Sequence, residues 1–169
     1  MRKLCWAALA LWAATAAVYA QTGPSEYDVK AVFLYNFVRL VDWPEGPPSS
    51  PIRICVVGTH PIEEKLEETL RGESFEGQPL IVRTIAHPDA DCEVLFIPRR
   101  SAEGEYLRAV EGRPVLTVGE SPDFIQQGGM INFFLDGKRV RFEINPAAAS
   151  RANLRISSRL LQLAKLVPS

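Results

Sequence analysis

The most informative stretch of the sequence is Gly128-Gly129-Met130-Ile131-Asn132-Phe133-Phe134, followed by Val140-Arg141-Phe142-Glu143-Ile144-Asn145. Two short runs typical of strands flank Asp136-Gly137, a residue pair that favours a tight type I′ hairpin turn. The second run leads into Asn145-Pro146, where Asn can cap a helix and Pro suits the first helical position. The stretch therefore predicts a hairpin at a sheet edge and then a helix. It supplies no obvious nucleophile, base or metal ligand, which favours a binding protein over an enzyme.

Upstream of this hairpin, short apolar runs alternate with segments that have helical spacing. The apolar runs are residues 52–57, 80–85, 94–97 and 115–118, and the helical segments between them are residues 61–70 and 101–110. Continuous apolar strands that alternate with helices are typical of a parallel sheet covered on both faces. The sequence therefore predicts an α/β fold: a single compact domain with a mostly parallel sheet, helices on both faces and a C-terminal β-hairpin.

Further helices are predicted at both ends of this pattern, one before it and two after it. The first covers residues 27–41, begins after Ser25, and carries the apolar stripe Val29, Val32, Phe33, Phe37 and Leu40. A short helix near residues 146–151 and an extended link at 154–156 follow the hairpin. The last helix is capped by Ser157 or Ser158, and its apolar residues are Leu160, Leu161, Leu163, Ala164 and Leu166.

Residues 1–20 are interpreted as a cleaved secretory signal peptide. Arg2 and Lys3 precede a nearly all-apolar run, and Val18-Tyr19-Ala20 offers a cleavage site. The alternative is a membrane anchor, but a run of about 15 residues is short of the ~20 that span a bilayer. Loss of Arg2 and Lys3 lowers Lys plus Arg from 19 to 17 against 20 Asp plus Glu. The remaining domain, residues 21–169, is thus mildly acidic, which gives no electrostatic footprint for nucleic acid or anionic lipid.

Export would leave Cys55 and Cys92 in an oxidising compartment. Each lies in or beside an apolar run, so neighbouring strands could bring their α-carbons within bridging range. Such a bridge would stabilise the domain by up to ~4 kcal/mol. Two buried free thiols that act as small hydrophobic side chains are the alternative. Alkylation of the denatured, unreduced protein distinguishes the two.

No pattern in the sequence indicates catalysis. Gly58-Thr59-His60 lies where an α/β fold places a phosphate loop, but a single glycine lacks the spacing that a pyrophosphate needs. His60 and His87 each precede a proline and have no metal-ligand spacing, so both are interpreted as ordinary loop histidines. A serine-hydrolase elbow is also missing. We therefore expect no enzyme activity, no cofactor and no metal.

Several stretches, taken together and in order, resemble the YfiR family of periplasmic regulators. They include Lys30-Ala31-Val32-Phe33-Leu34-Tyr35-Asn36-Phe37 with Trp43-Pro44, Ile54-Cys55-Val56-Val57-Gly58, Cys92-Glu93-Val94-Leu95-Phe96-Ile97, and residues 115–118, 128–133, 140–145 and 154–161. The resemblance covers nearly all of residues 21–169. It implies a compact α/β domain in the periplasm, and it matches Cys55 and Cys92 to a cysteine pair of the family. A second pair known in the family has no counterpart here, which leaves at most one bridge.

The resemblance also implies a function and partners. It predicts repression of a membrane-bound diguanylate cyclase, and hence control of cyclic di-GMP and biofilm formation, by binding that enzyme's periplasmic region. An outer-membrane lipoprotein that sequesters the repressor and a second copy of the chain are further implied partners. The other function class is a sensor of a small ligand or cell-wall fragment, with a pocket at the C-terminal ends of the parallel strands.

The partner surface is predicted at the C-terminal helix. Leu160, Leu163 and Leu166 are its expected anchors, and Trp43 and Arg155 are expected to frame the same surface. The equally favoured alternative is that this helix simply packs on the sheet. A charged substitution at Leu163 separates these readings, because loss of folding would indicate core whereas loss of binding alone would indicate an interface.

Overall fold

The structure, a computed structural model, describes residues 23–43, 51–88, 91–99 and 101–167. The signal peptide predicted at residues 1–20 lies outside the described residues. In chain order the helices are α1 Glu26–Leu40, α2 Ile62–Leu70, α3 Glu103–Ala109, α4 Pro146–Arg151 and α5 Ser158–Leu163. The strands are β1 Val41–Asp42, β2 Ile52–Val57, β3 Ser74–Phe75, β4 Gln78–Ile85, β5 Val94–Ile97, β6 Leu116–Gly119, β7 Ile131–Asp136, β8 Arg139–Ile144, β9 Arg155–Ile156 and β10 Lys165–Leu166.

Eight of these strands form one mostly parallel sheet in the order β10-β8-β7-β6-β5-β2-β4-β3. The pairs from β7 through β6, β5 and β2 to β4 are all parallel, whereas β7 with β8 and β3 with β4 are antiparallel. The short β1 and β9 pair separately and antiparallel. The α/β fold predicted from the alternating apolar runs is confirmed.

Both faces of the sheet are buried because every residue of the central strands β5 and β6 is apolar or small enough to pack. On the first face, α1 and α2 cover a core that contains Phe37, Phe96 and Phe133. On the second face, α3 covers a smaller core around Leu95 and Phe124. Helices on both faces, as predicted, are therefore present.

The hairpin turn differs from the prediction by one residue. Asp136 pairs with Arg139, so the two loop residues are Gly137 and Lys138, not Asp136 and Gly137. A type I′ turn needs positive φ at both loop residues, but only Gly137 has it, at 63°. Glycine at the first loop position is the signature of a type II′ turn. Asp136 is held in the ladder, where its carboxylate also lies 3.6 Å from Arg141.

The last helix is shorter than predicted, so Leu166 is not helical. Helix α5 ends at Leu163, and the chain then pairs as β10 in parallel with β8. Lys165 lies opposite Glu143 and Leu166 opposite Ile144, and the Val167 N–H donates to the Ile144 carbonyl at 3.0 Å. The open edge of β8 offers backbone partners, and this tertiary pairing outweighs the helical apolar spacing.

Candidate functional site

A groove between the first and last helices has an aromatic floor. Helix α1 begins with a capping box: the Asp28 N–H donates to the Ser25 hydroxyl, and the Ser25 N–H donates to the Asp28 carboxylate. The apolar side of α1 then packs Phe33 and Phe37 against the β7–β8 hairpin. Both ring centroids lie close to that of Phe142, at 5.1 and 5.2 Å. The groove floor is therefore rigid and apolar.

Helix α5 forms the opposite wall of this groove. The Ser157 hydroxyl caps α5, and the Ser157 N–H donates to the Leu40 carbonyl at the end of α1. Leu160 is 1% exposed and anchors α5 in the core. The resulting α1–α5 groove has a volume of about 440 Å³. Its lining residues are Phe33, Asn36, Phe37, Arg39, Leu40, Phe142, Arg159, Leu160 and Leu163.

The charge at this groove is positive. Arg39 and Arg159 are its two charged lining residues, and both are exposed. The Arg39 guanidinium lies 5.5 Å from the ring centroid of Tyr35, and Arg159 has no ion-pair partner in the part of the chain that the structure describes. An apolar floor beside two arginines suits an apolar group that has a carboxylate or another anion next to it.

Leu163 separates the α1–α5 groove from a second depression of about 390 Å³. This depression is lined by Phe134, Asp136, Arg141, Phe142, Gln162, Leu163, Ala164 and Lys165. Leu163 is 61% exposed and Leu166 is 54% exposed, so neither contributes much to the core. Of the predicted anchors, Leu160 is thus a core residue, and Leu163 and Leu166 are available to a partner.

Trp43 and Arg155 lie together but not at this groove. Trp43 is 8% exposed, and its indole Nε1 donates to the Pro114 carbonyl at 3.1 Å. Arg155 lies opposite Asp42 where β1 pairs with β9. With four other residues they line a separate depression of about 360 Å³. The structure therefore does not bring Trp43 and Arg155 to the surface around Leu163, and a partner contact through any of these residues stays a prediction.

A second polar site, which sequence reasoning missed, lies at the carboxyl edge of the parallel strands. Helix α2 follows β2 on one face of the sheet and α3 follows β5 on the other, which makes this edge a topological switch point. Lys30 of α1 fills it: its Nζ lies 2.5 Å from Glu26 Oε1 and 2.6 Å from Glu120 Oε2. Burial lowers the pKa of Lys30, but hydrogen bonds to Glu120 and Glu26 outweigh burial and raise it overall.

His60 completes this carboxyl-edge cluster of Glu26, Lys30, His60 and Glu120. Its Nε2 lies 3.6 Å from Glu120 Oε1, and its ring packs against Tyr27 and Phe96. Burial is the main cause that lowers the pKa of His60, partly opposed by the charge of Glu120. The exposed His87 fits the expected loop histidine, whereas His60 is half-buried among charged groups.

The carboxyl-edge cluster therefore occupies the place where the sequence suggested a ligand pocket. Its charged groups bind one another, so the position is filled by the chain's own side chains. One signal was present: Lys30 precedes Leu34 and Val38 at four-residue spacing, which places it on the buried side of α1. Its partners Glu120 and His60 could be found only from the topology.

The predicted disulfide is confirmed. Cys55 of β2 and Cys92, just before β5, are bonded, with their α-carbons 5.9 Å apart. Both side chains are buried against the second face of the sheet. The bridge ties β2 to the segment that leads into its neighbour β5, so it fixes the pairing at the centre of the sheet.

Across residues 23–43, 51–88, 91–99 and 101–167, no group of three or more His, Cys, Asp or Glu side chains could hold a metal ion. Over the same ranges, no helix is long and apolar enough to cross a membrane.

This chain matches a known protein family. A family model described as YfiR/HmsC-like matches residues 27–165, which include α1, the disulfide, the hairpin and α5. The chain belongs to the YfiR/HmsC-like family. This family is known in general for periplasmic regulators of cyclic di-GMP signalling.

A solved structure is similar to this YfiR/HmsC-like chain in fold. It is a conserved domain protein from Vibrio cholerae O1 biovar El Tor, with a TM-score of 0.60 and 13% sequence identity. The match covers 85% of this chain and 60% of the Vibrio chain, so the chain spans less than two thirds of the length of that protein. At this identity the likeness concerns the fold alone.

Proposed function

We propose that this chain is a periplasmic regulatory protein that represses a membrane-bound diguanylate cyclase by binding its periplasmic region. Membership of the YfiR/HmsC-like family supports the regulatory role. The observation that carries the binding role is Leu163, an exposed leucine between two depressions, with the exposed Leu166 just after it. A single exposed leucine is ordinary, but Leu163 also lines a groove with an aromatic floor, and a partner that covers this surface would exclude water from it.

Repression then follows from differential binding. The chain binds one conformation of its target more tightly than the other, and the population of the target shifts toward that inactive conformation. Rigid anchors suit this task because little conformational entropy is lost when they bind. The aromatic floor is held by ring contacts within the core, and α5 is held by Leu160, so the surface is preformed. An outer-membrane lipoprotein or a second copy would compete if it covered the same surface.

The test is capture of envelope proteins by the oxidised protein, with mass spectrometry as the readout. We expect a membrane diguanylate cyclase to be recovered by the unchanged chain. Leu163→Glu should lose the cyclase, because a carboxylate cannot be buried in an apolar contact without a partner. Circular dichroism should show that this variant remains folded, since Leu163 is exposed.

Ile81→Glu provides the matched control. Ile81 is also an exposed branched apolar residue, but it lies on β4 near the opposite end of the sheet. This variant should recover the cyclase as well as the unchanged chain does. Equal recovery by Leu163→Glu and the unchanged chain would contradict the proposed surface, and failure of the unchanged chain to recover any cyclase would contradict the proposed target.

A second candidate function is a sensor of a small ligand or cell-wall fragment. The α1–α5 groove favours it, because about 440 Å³ is within the usual range for a ligand pocket and Arg39 and Arg159 could bind an anionic group. A thermal-shift panel of envelope metabolites tests it. A stabilising ligand whose effect disappears in Arg159→Gln would support the sensor, and a flat response across the panel would count against it.

A further inference from the structure

The side chain of His60 is fixed at the junction between β2 and α2. Gly58 turns the chain after β2 with a φ of 67°, and His60 follows two residues later. The imidazole is held edge-on to Tyr27 of α1, with ring centroids 5.3 Å apart, and lies 5.6 Å from Phe96 of β5. Ring contacts with α1 and β5 thus restrict where this ring can move.

The hydrogen bonds of His60 require one protonation state. The Ile62 N–H, in the first turn of α2, donates to His60 Nδ1 at 3.3 Å. A backbone N–H can only donate, so Nδ1 must be unprotonated and the ring must be neutral. The backbone reinforces this arrangement, because the His60 N–H donates to Glu63 Oε1 at 2.6 Å and the Glu63 N–H donates to the His60 carbonyl at 3.1 Å. Pro61, the residue at the start of α2, provides no side-chain cap, so His60 takes the role that Ser or Asn has in other helices by accepting the Ile62 N–H.

We propose that His60 is an acid-sensitive cap of helix α2, which holds the first turn of α2 while the imidazole is neutral and releases it on protonation. This inference goes beyond the proposed function and does not depend on any partner. Protonation places an N–H on Nδ1, directly opposite the Ile62 N–H, and the hydrogen bond is lost. It also places a positive charge at a helix N-terminus, where the helix dipole disfavours cations.

Some of the charged groups around His60 favour its protonation and others oppose it. Glu120, which follows β6, attracts a protonated imidazole, but it is shared with Lys30 and with the Arg99 N–H. Lys30 of α1 repels it, whereas Glu26 of α1 and Glu63 of α2 attract it. Thr84 of β4 binds Glu63 through its hydroxyl, and Phe96 of β5 adds only apolar surface. Burial outweighs these attractions, so the pKa of His60 is lowered.

The sign of the pH dependence follows from this direction. Because the pKa of His60 is lower in the folded chain than its ordinary value of 6.5, the cap stabilises the fold fully above pH 6.5. Its contribution is lost as the pH falls from 6.5 toward the lowered pKa of the folded chain, since over this range the unfolded chain binds a proton on His60 that the folded chain does not. Release of the first turn would affect α1 as well, because Lys65 of α2 lies 3.5 Å from Asp28 of α1.

The first test is an NMR titration of the oxidised, unmutated protein. We expect the His60 ring to titrate below the ordinary histidine pKa of 6.5, and the Ile62 amide resonance to shift with the same midpoint as His60. A His60 midpoint at or above pH 6.5, or an Ile62 amide that does not respond to the His60 titration, would overturn the proposed cap.

The second test compares two asparagine variants by chemical denaturation at pH 7.5 and pH 5.5. His60→Asn keeps an acceptor, since Asn Oδ1 replaces Nδ1, but it cannot be protonated. Acidification from pH 7.5 to pH 5.5 should lower the folding equilibrium constant of the unmutated chain, and it should lower that of His87→Asn by the same factor. In His60→Asn the decrease should be about fivefold smaller, because loss of a helix cap usually changes the constant by about this factor. Equal acid sensitivity in all three proteins would refute the proposed cap.

Discussion

At the scale of single residues, Phe124 lies between two glycines that leave no room for a β-carbon. Its ring is fully buried in the smaller core. A β-carbon built on Gly119 would lie 2.3 Å from the ring, and one built on Gly129 would lie 2.2 Å from it. Neither glycine has a positive φ, so backbone conformation does not require glycine at these positions. Glycine is required because a β-carbon at either position would collide with the Phe124 ring.

We therefore expect Gly119→Ala to lower the free energy of unfolding by about 1–3 kcal/mol, as in other overpacked cores. Gly104→Ala in helix α3 is the matched control. Its β-carbon would meet the flexible ends of two side chains, Arg108 at 3.3 Å and Gln127 at 3.7 Å, and alanine is the better helix former by about 0.5–1 kcal/mol. Urea denaturation measures both variants. A neutral effect of Gly119→Ala would mean that Phe124 can move aside.

Also at the residue scale, the positive charge of Lys30 balances the negative charges of Glu26 and Glu120. Lys30→Met leaves Glu26 and Glu120 without their cation, and we expect a loss of about 2–3 kcal/mol in the free energy of unfolding. This is below the ~3–5 kcal/mol of a fully buried pair because Glu26 is partly exposed. The pKa of Lys30 is raised in the folded chain, so its contribution is complete below the usual value of 10.5 and is lost only at higher pH.

The double variant Lys30→Met with Glu120→Gln tests the physical reason. Neutralising Glu120 removes the uncompensated charge, so urea denaturation at pH 7 should show part of the lost stability restored. If the double variant loses the sum of the two single effects, the ion pair does not couple these residues.

At the scale of elements, the disulfide connects two parts of the central sheet that no turn joins. Replacement of both Cys55 and Cys92 by Ala should lower the free energy of unfolding by about 2–4 kcal/mol. The native sheet keeps its hydrogen bonds, so the far-ultraviolet circular dichroism of the folded variant should stay unchanged. Addition of a reductant should destabilise the unmutated chain and leave the double variant unaffected, and an equal response of both would contradict this assignment.

Some helices and strands can be predicted from local signals in the sequence, and others cannot. The apolar run at residues 94–97 coincides with strand β5, because every residue of this strand is buried and its side chains pack on both faces of the sheet. Ser25 and Asn145 mark the starts of α1 and α4 because a side-chain cap is a local interaction. The end of α5 could not be predicted, since it depends on the open edge of β8, and the same holds for the hairpin register, which Asp136 and Arg139 fix by pairing.

The candidate site was only partly predictable for the same reason. Leu163 and Leu166 stand out from their apolar character near the end of the chain, and both prove to be exposed. Leu160 looks identical in sequence but is buried, because α5 turns that side toward Phe37 and Phe142. His60 and Glu120 meet only after β2, β5 and β6 have paired, so no local pattern reveals them.

At the scale of the whole molecule, the C-terminal segment contains the buried residue Leu160, which belongs to the core, and the exposed residue Leu166, which is accessible to a partner. A chain that stops after Ala164 lacks β10 and Leu166 but keeps Leu160 in the core, so we expect it to fold and to bind its partner more weakly. A chain that stops after Ser157 also lacks Leu160 and exposes the aromatic floor of the α1–α5 groove. It should lose about 2–5 kcal/mol, the cost of removing a buried leucine. Thermal denaturation and partner capture would measure the two truncations.

The result that would contradict this division is specific. If the chain that stops after Ala164 unfolds as readily as the shorter one, then β10 is a structural strand. Leu166 would in that case belong to the fold despite its exposure. If the longer truncation keeps full binding, Leu166 makes no contact with the partner and Leu163 alone carries the exposed surface.

The β7–β8 hairpin also implies an order of events during folding. It joins neighbouring stretches of chain, so it can form within microseconds, whereas the parallel pairing of β2, β4, β5 and β6 must first close long loops. A refolding chain would thus present a finished hairpin before the rest of the sheet exists. The outer side of β8 is then an unprotected template for other chains, and the brief strand β10 is the segment that covers part of it.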